Sequence, residues 1–226
     1  MIRAVIFDMD GVLTDSERLG VAITCEAGRE MGFEIPESAV MKTLGITWAA
    51  SVGLYEEEFP GLDVPKMFDR VRERLVSLGQ QGKMPLKPGV HRILDTLERL
   101  GLPKAVASSN GPGAIRAYLT GAGIANRFDQ VISGNDCARS KPEPDIFLLA
   151  AERLGVPPEA CLVVEDSPSG VRAGRAAGMT VCMIPDLAPF TEELRPCCDW
   201  VLPSLNELAD ALERGGLPEK PEAQNG

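Results

Sequence analysis

The sequence predicts an α/β protein, a Rossmann-like parallel sheet with helices on both faces and a small α-helical cap domain inserted after the first strand. Three observations predict it. Short β-branched runs alternate with amphipathic segments over most of the chain, which is the βαβ pattern. The runs are too continuous in apolar character for a sheet with one wet face, as expected of strands covered on both sides. Residues 16–85 break the rhythm, carrying helical periodicity and no clear strand.

The runs at 2–7, 104–108, 130–133, 161–165, 180–184 and 199–202 read as strands. Helical patterns cover 89–100, 112–121, 143–154 and 168–177. Pro112 and Pro168 open two of these, and Gly155 and Gly178 close two. Proline suits a first turn, whose N–H has no helical partner, and glycine accepts the left-handed conformation that ends a helix. In the interrupted segment, Ser16 is placed to cap a helix with apolar Leu19, Ala22, Ile23 and Ala27, and 47–58 and 64–79 read as further helices. A helical insertion over the strand ends of a parallel sheet acts as a lid on the crevice where such sheets bind ligands. The division is then a core of 1–15 and 86–214, a cap of 16–85 and a polar, disordered tail of 215–226.

With 226 residues, 44% hydrophobic and 25% charged, the chain can bury one sizeable core plus a small inserted module. Its net charge of -10 and the lack of any Lys/Arg run argue against nucleic acid and membrane surfaces as partners. An anionic substrate must therefore be held by local donors or a metal, because the overall field repels it. Six cysteines without C-x-x-C spacing read as reduced thiols, and there are no 18 consecutive apolar residues and no secretory leader pattern. The expectation is a soluble, cytoplasmic monomer. The one histidine, His91, shares a polar helix face with Asp95 and Glu98. A Ser-His-Asp hydrolase or a His-ligated zinc site would need more, so catalysis must rest on carboxylates, Lys, Ser or Cys.

Four elements supply those groups, each after a separate strand. Asp8-Met9-Asp10-Gly11 ends the first run, and two carboxylates two residues apart in extended chain point the same way. Their repulsion is offset by a cation, and oxygen ligands suit Mg²⁺; a plain turn is the alternative. Ser108-Ser109-Asn110-Gly111-Pro112 offers hydroxyl and backbone N–H groups to phosphate oxygens, or simply caps a helix. Lys141, in Ser140-Lys141-Pro142, is a point charge for a phosphoryl group or a surface lysine. Glu165-Asp166-Ser167-Pro168 gives a second acidic pair, or a helix cap.

Together and in this order, acid pair, hydroxyl, lysine and acid pair resemble the four motifs of the haloacid-dehalogenase-like phosphohydrolases. The strings FDMDGVLTDSE, SKPEPDIF and VVEDSPSGVRAG are similar to the wording of the helical-cap subfamily that includes β-phosphoglucomutase and 6-phosphogluconate phosphatase. The resemblance covers all but the tail. It implies a magnesium-dependent phosphatase acting on a small sugar phosphate or sugar-acid phosphate through an aspartyl-phosphate. Asp8 is then the nucleophile and Asp10 the general acid and base. Ser108 or Ser109, with Asn110 and Lys141, holds the phosphoryl group. Asp8, the main-chain carbonyl of Asp10, and Asp166 hold Mg²⁺, with Glu165 in support.

Three rivals are weaker. Dehalogenases of this fold lack an aspartate at the second position, which is Asp10 here. A phosphomutase similar to β-phosphoglucomutase would carry a His at the place of Gly20 and an Arg within 45–49, where this chain has no basic residue. A binding module would have lost a catalytic group, and none is lost. Specificity is expected from the cap, with Ser16, Thr47, Trp48, Lys83 and Lys87 as candidates.

Overall fold

A computed structural model of the chain describes residues 1–44, 46 and 48–215, with Trp48 described by its backbone alone. Thr47, the Trp48 side chain and the tail beyond Gly215 therefore lie outside the described residues. Six parallel strands form one sheet: β1 (Ala4–Phe7), β2 (Lys104–Ser108), β3 (Gln130–Ser133), β4 (Cys161–Glu165), β5 (Thr180–Met183) and β6 (Trp200–Val201). They lie in the order β3-β2-β1-β4-β5-β6. The chain winds outward from β1 to β3, crosses back to β4 and winds outward the other way. Such a reversal leaves a crevice at the carboxyl ends of the central strands, between connections that run to opposite sides.

All six predicted strands are present, and β1, β5 and β6 have trimmed ends. Their continuous apolar character has the cause inferred from sequence: Val5 and Phe7 enter one buried cluster with α5 (Val90–Arg99), α6 (Pro112–Gly121) and α9 (Leu205–Glu213). Ala4 and Ile6 enter another with α7 (Asp145–Leu154) and α8 (Pro168–Ala176). Each face of the sheet is thus covered, and successive residues alternate between faces. Every side chain of β1 is fully buried, and a buried Val, Ile or Phe contributes roughly 1.5–3 kcal/mol.

Between β1 and β2 stand α1 (Ser16–Glu30), α2 (Glu37–Met41), α3 (Trp48–Glu58) and α4 (Val64–Gln80). They share a third cluster built around Val21, Ala27, Ile35, Tyr55, Val64 and Met67. Two helices were not anticipated. Helix α2 is barely more than one turn, too short to show a period. Helix α9, capped by the Ser204 side chain, has a readable stripe of Leu205, Leu208 and Leu212, which the neighbouring polar tail obscures. No helix among the described residues is long and apolar enough to cross a membrane. All six cysteines are free thiols, and His91 is exposed as expected.

Helix α4 packs against α6 of the sheet-bearing part at two glycines. A Cβ on Gly121 would stand 1.8 Å from the Gly79 carbonyl oxygen, which backbone cannot vacate. Gly121→Val is therefore expected to lower unfolding free energy by roughly 3 kcal/mol, seen as a lower denaturant midpoint at unchanged slope. An unchanged midpoint would mean that the helices can part at no cost.

Candidate active site

Each predicted group sits where a strand ends. Asp8 follows β1, and its N–H still donates to the Val164 carbonyl at 2.9 Å, holding the residue in strand register. The loop then turns back on itself. Gly11 N–H donates to the Thr14 carbonyl at 2.9 Å, and the buried Thr14 hydroxyl donates to the Met9 carbonyl at 3.2 Å. Gly11 adopts φ +76°, and a Cβ there would lie 2.1 Å from Asp166 Oδ2. Glycine is required twice over, by the left-handed backbone and by the carboxylate pressed against it.

Lys141 reaches into the sheet end from the loop after β3. Its Nζ donates to Asp8 Oδ1 at 2.5 Å, to Glu165 Oε1 at 2.7 Å and to the Ala107 carbonyl at 3.2 Å. Its side chain is only 6% exposed, which rules out the surface-lysine alternative. The other Glu165 oxygen accepts from the N–H groups of Asp166 and Ser167 and from the Ser167 hydroxyl, at 2.8–2.9 Å.

Asp10 faces a different set of partners. Its Oδ1 accepts from Ser16 Oγ at 2.6 Å; its Oδ2 accepts from Asn110 Nδ2 at 2.7 Å and from Ser108 Oγ at 3.3 Å. Ser108 is fully buried, whereas Ser109 is exposed and lines the adjoining cavity. The capping role expected of Ser16 is not the one observed. Asp15 occupies the cap position of α1 with no side-chain cap bond, and the Ser16 hydroxyl is spent on Asp10. A short bond to the Asp10 carboxyl takes the place of a bond to the helix end.

A profile of the haloacid dehalogenase-like hydrolases matches residues 5–184, from β1 to just past β5. The chain belongs to that family. Hexitol phosphatase B of Escherichia coli K12 is 32% identical over 210 residues, covering 92% of this chain and 94% of that protein. Among solved structures, CbbY of Rhodobacter sphaeroides in complex with phosphate superposes with a TM-score of 0.76 at 28% identity, over 96% of this chain and 98% of that one. A β-phosphoglucomutase of Clostridium difficile superposes at 0.72 and 26% identity, over 92% and 93%.

In this family member, two acids missed in the sequence join the site. Oxygens of Glu17, Asp166 and Asp186 lie within 4.8 Å of one another. One oxygen of each, Glu17 Oε2, Asp166 Oδ2 and Asp186 Oδ2, is buried without a hydrogen-bond partner. Asp186 follows β5 at the same rim, so the strand-end rule could have found it; Glu17, in the first turn of α1, looks like an ordinary helix-start acid. Buried orphan oxygens around Asp166, with no nitrogen or sulfur ligand, fit a hard divalent cation such as Mg²⁺. Of the cap candidates, Lys83 is exposed, and Lys87 is drawn to Asp186 at 2.7 Å and Asp15 at 3.3 Å.

One ammonium is too little charge for so many buried acids. Burial pushes Asp8 up to about 8, with Glu165 and Asp10 adding repulsion against the pull of Lys141. Burial likewise raises Asp10, against the hydrogen bonds from Ser16, Ser108 and Asn110, and it raises Asp166, where Glu165, Glu17 and Asp8 add to it. Glu17 reaches about 7 by burial and the proximity of Asp10 and Asp186. Lys141, despite a burial that opposes its charge, is raised by Asp8 and Glu165.

Carboxyls raised on folding bind more protons in the native state than in the unfolded one. Their contribution is full below the ordinary carboxylate range and is lost as pH climbs to about 8. In EDTA, the melting temperature is therefore expected to fall between about pH 6 and about pH 8, and Mg²⁺ should raise it most at the upper end. A melting temperature that climbs with pH in EDTA would contradict this charge balance.

Proposed function

We propose that the protein is a magnesium-dependent phosphatase that hydrolyses a small phosphorylated metabolite through a phosphoryl group carried on Asp8. The observation that carries the reading is the convergence of Lys141 on Asp8 and Glu165, beside an Asp10 held by neutral donors. The relatives named as phosphatases support it, as does the phosphate bound in the CbbY structure.

Asp8 attacks phosphorus in line with the ester oxygen, so that the P–O bond to the alcohol breaks as the bond to Asp8 forms. Lys141 and the Ser108 hydroxyl hold the equatorial oxygens, Lys141 neutralising charge that spreads onto them. Asp10, whose hold on a proton burial strengthens, delivers a proton to the departing alkoxide. Ser16 and Asn110 aim it. With the alcohol gone, Asp10 is a carboxylate that takes a proton from water as the water attacks phosphorus, freeing Asp8 and inorganic phosphate. Asp8, the main-chain carbonyl of Asp10, and Asp166 would hold Mg²⁺, which when bound screens the phosphoryl charge and supplies the missing positive charge. Glu165 fixes Lys141, and the helices of 16–85 act as a cap that keeps bulk water away. Six unpaired thiols suit a reducing compartment, and we place the enzyme in the cytoplasm as a monomer.

Phosphate release from a panel of phosphorylated metabolites with Mg²⁺ tests the reading. Asp8→Asn is expected to lower kcat by on the order of 10³-fold or more, and Lys141→Ala by about 10²-fold. EDTA should silence the wild type. Undiminished turnover by Asp8→Asn would remove the proposed nucleophile.

A further inference from the structure

Beyond Asp10 lies a cavity of ≈ 440 Å³, which is the size of a small-molecule site. Asp10, Ser16, Ser109 and Asn110 form its floor, and the helices of 16–85 form its walls. Those walls are mostly apolar, through Val40, Phe68, Val71 and Leu75, with the hydroxyls of Thr24 and Thr43 set among them. No Lys, Arg or His is among the described lining residues. Gly45, Thr47 and Trp48, outside that description, bring no charge either. Arg18 at 2.9 Å and Lys87 at 2.7 Å pair with Asp186, and Lys42 at 3.1 Å pairs with Glu58; none of the three is among the described lining residues. The carboxyls of the described lining are those of Asp10 and Glu17.

We infer that the substrate carries a single phosphate on an uncharged alcohol, one that offers hydroxyls and an apolar face rather than a carboxylate or a second phosphate. The inference rests on the phosphatase reading and narrows it, separating two substrate classes that the sequence left together. An anionic group in the leaving alcohol would enter a chamber whose described lining offers no cation. Burying a charge without a partner is costly. The same emptiness disfavours a mutase, whose bisphosphate needs a second anchor.

Gly20 enlarges this chamber. It stands in the interior of α1, where glycine is a poor helix former, and it lines the cavity. A Cβ built there meets nothing nearer than Leu75 Cδ1 at 4.0 Å. A larger side chain would fit and would fill space that the neutral alcohol now occupies.

D-Glucitol 6-phosphate and 6-phosphogluconate form a matched pair that differs in a hydroxymethyl against a carboxylate at the far end. For wild type, kcat/KM for phosphate release is expected to favour the glucitol ester by on the order of tenfold or more. Gly20→Arg should shrink or invert that ratio by supplying a cation, while Gly20→Ala should leave its direction unchanged. Asp8-dependent release that is equal or faster from 6-phosphogluconate, or from fructose 1,6-bisphosphate, overturns the inference and leaves the phosphatase reading standing. If no ester, including uridine 5′-monophosphate, gives Asp8-dependent phosphate, the phosphatase reading falls and takes this inference with it.

Discussion

One buried ammonium group holds the strand ends together. Lys141 is contributed by a loop, yet it bonds to Asp8 just past β1, to the carbonyl of Ala107 in β2 and to Glu165 at the end of β4. Three of the four central strands thus share one cross-link at the rim where the chain's winding reverses. Removing one partner of such a buried pair typically costs about 3–5 kcal/mol, because the remaining charges are left without compensation. The site and the register of the loop after β3 are therefore one structural problem with one solution. Glu165 shows how far the solution extends: a Cβ on Gly170 would stand 1.7 Å from its Oε1, so the first turn of α8 carries a residue that leaves room for the carboxylate.

Two aspartates separated by a single residue acquire opposite characters from their neighbours alone. Asp8 is matched to an ammonium at 2.5 Å, which holds its carboxyl in place for the nucleophile role proposed for it. Asp10 accepts only from hydroxyl and amide donors, which orient a carboxyl without neutralising it. Burial favours the protonated form of both, and it carries Asp8 up to about 8 even with the Lys141 ammonium at 2.5 Å. The contrast lies in the partners, a charged donor for Asp8 and neutral donors for Asp10, and it suits the proposed division between nucleophile and acid.

Much of this was legible in the sequence because strands and their ends obey a period. A run such as Cys161–Glu165 announces a buried strand, and whatever acid follows it must sit at the crevice. That rule located Asp8, Asp10, Ser108, Glu165 and Asp166 at one rim. It was not carried to Asp186, which obeys it equally, since that residue follows β5 in a stretch with no second acid to draw attention. Glu17 and Ser16 were harder. Near a helix start, acids and hydroxyls are common for local reasons, and only the folded chain shows that one turns to Asp10 and the other to Asp166. Side-chain pairing over a hundred residues, as between Asn110 and Asp10, has no period to betray it.

The helices of 16–85 join the rest through two strands of chain that pair with each other. Asp15 N–H donates to the Pro85 carbonyl and Lys87 N–H to the Leu13 carbonyl, both at 2.9 Å, with an antiparallel bridge between Thr14 and Leu86. The exit and return of the insertion are thus pinned side by side, the exit within a few residues of Asp10. A rotation of the helices about this pair carries Ser16 with it, because Ser16 is the first residue of α1. The hydrogen bond that aims Asp10 is then sensitive to the position of the helices above it. A shift of those helices would reach Asp10 through the Ser16 hydroxyl, a single side chain that belongs both to the insertion and to the site.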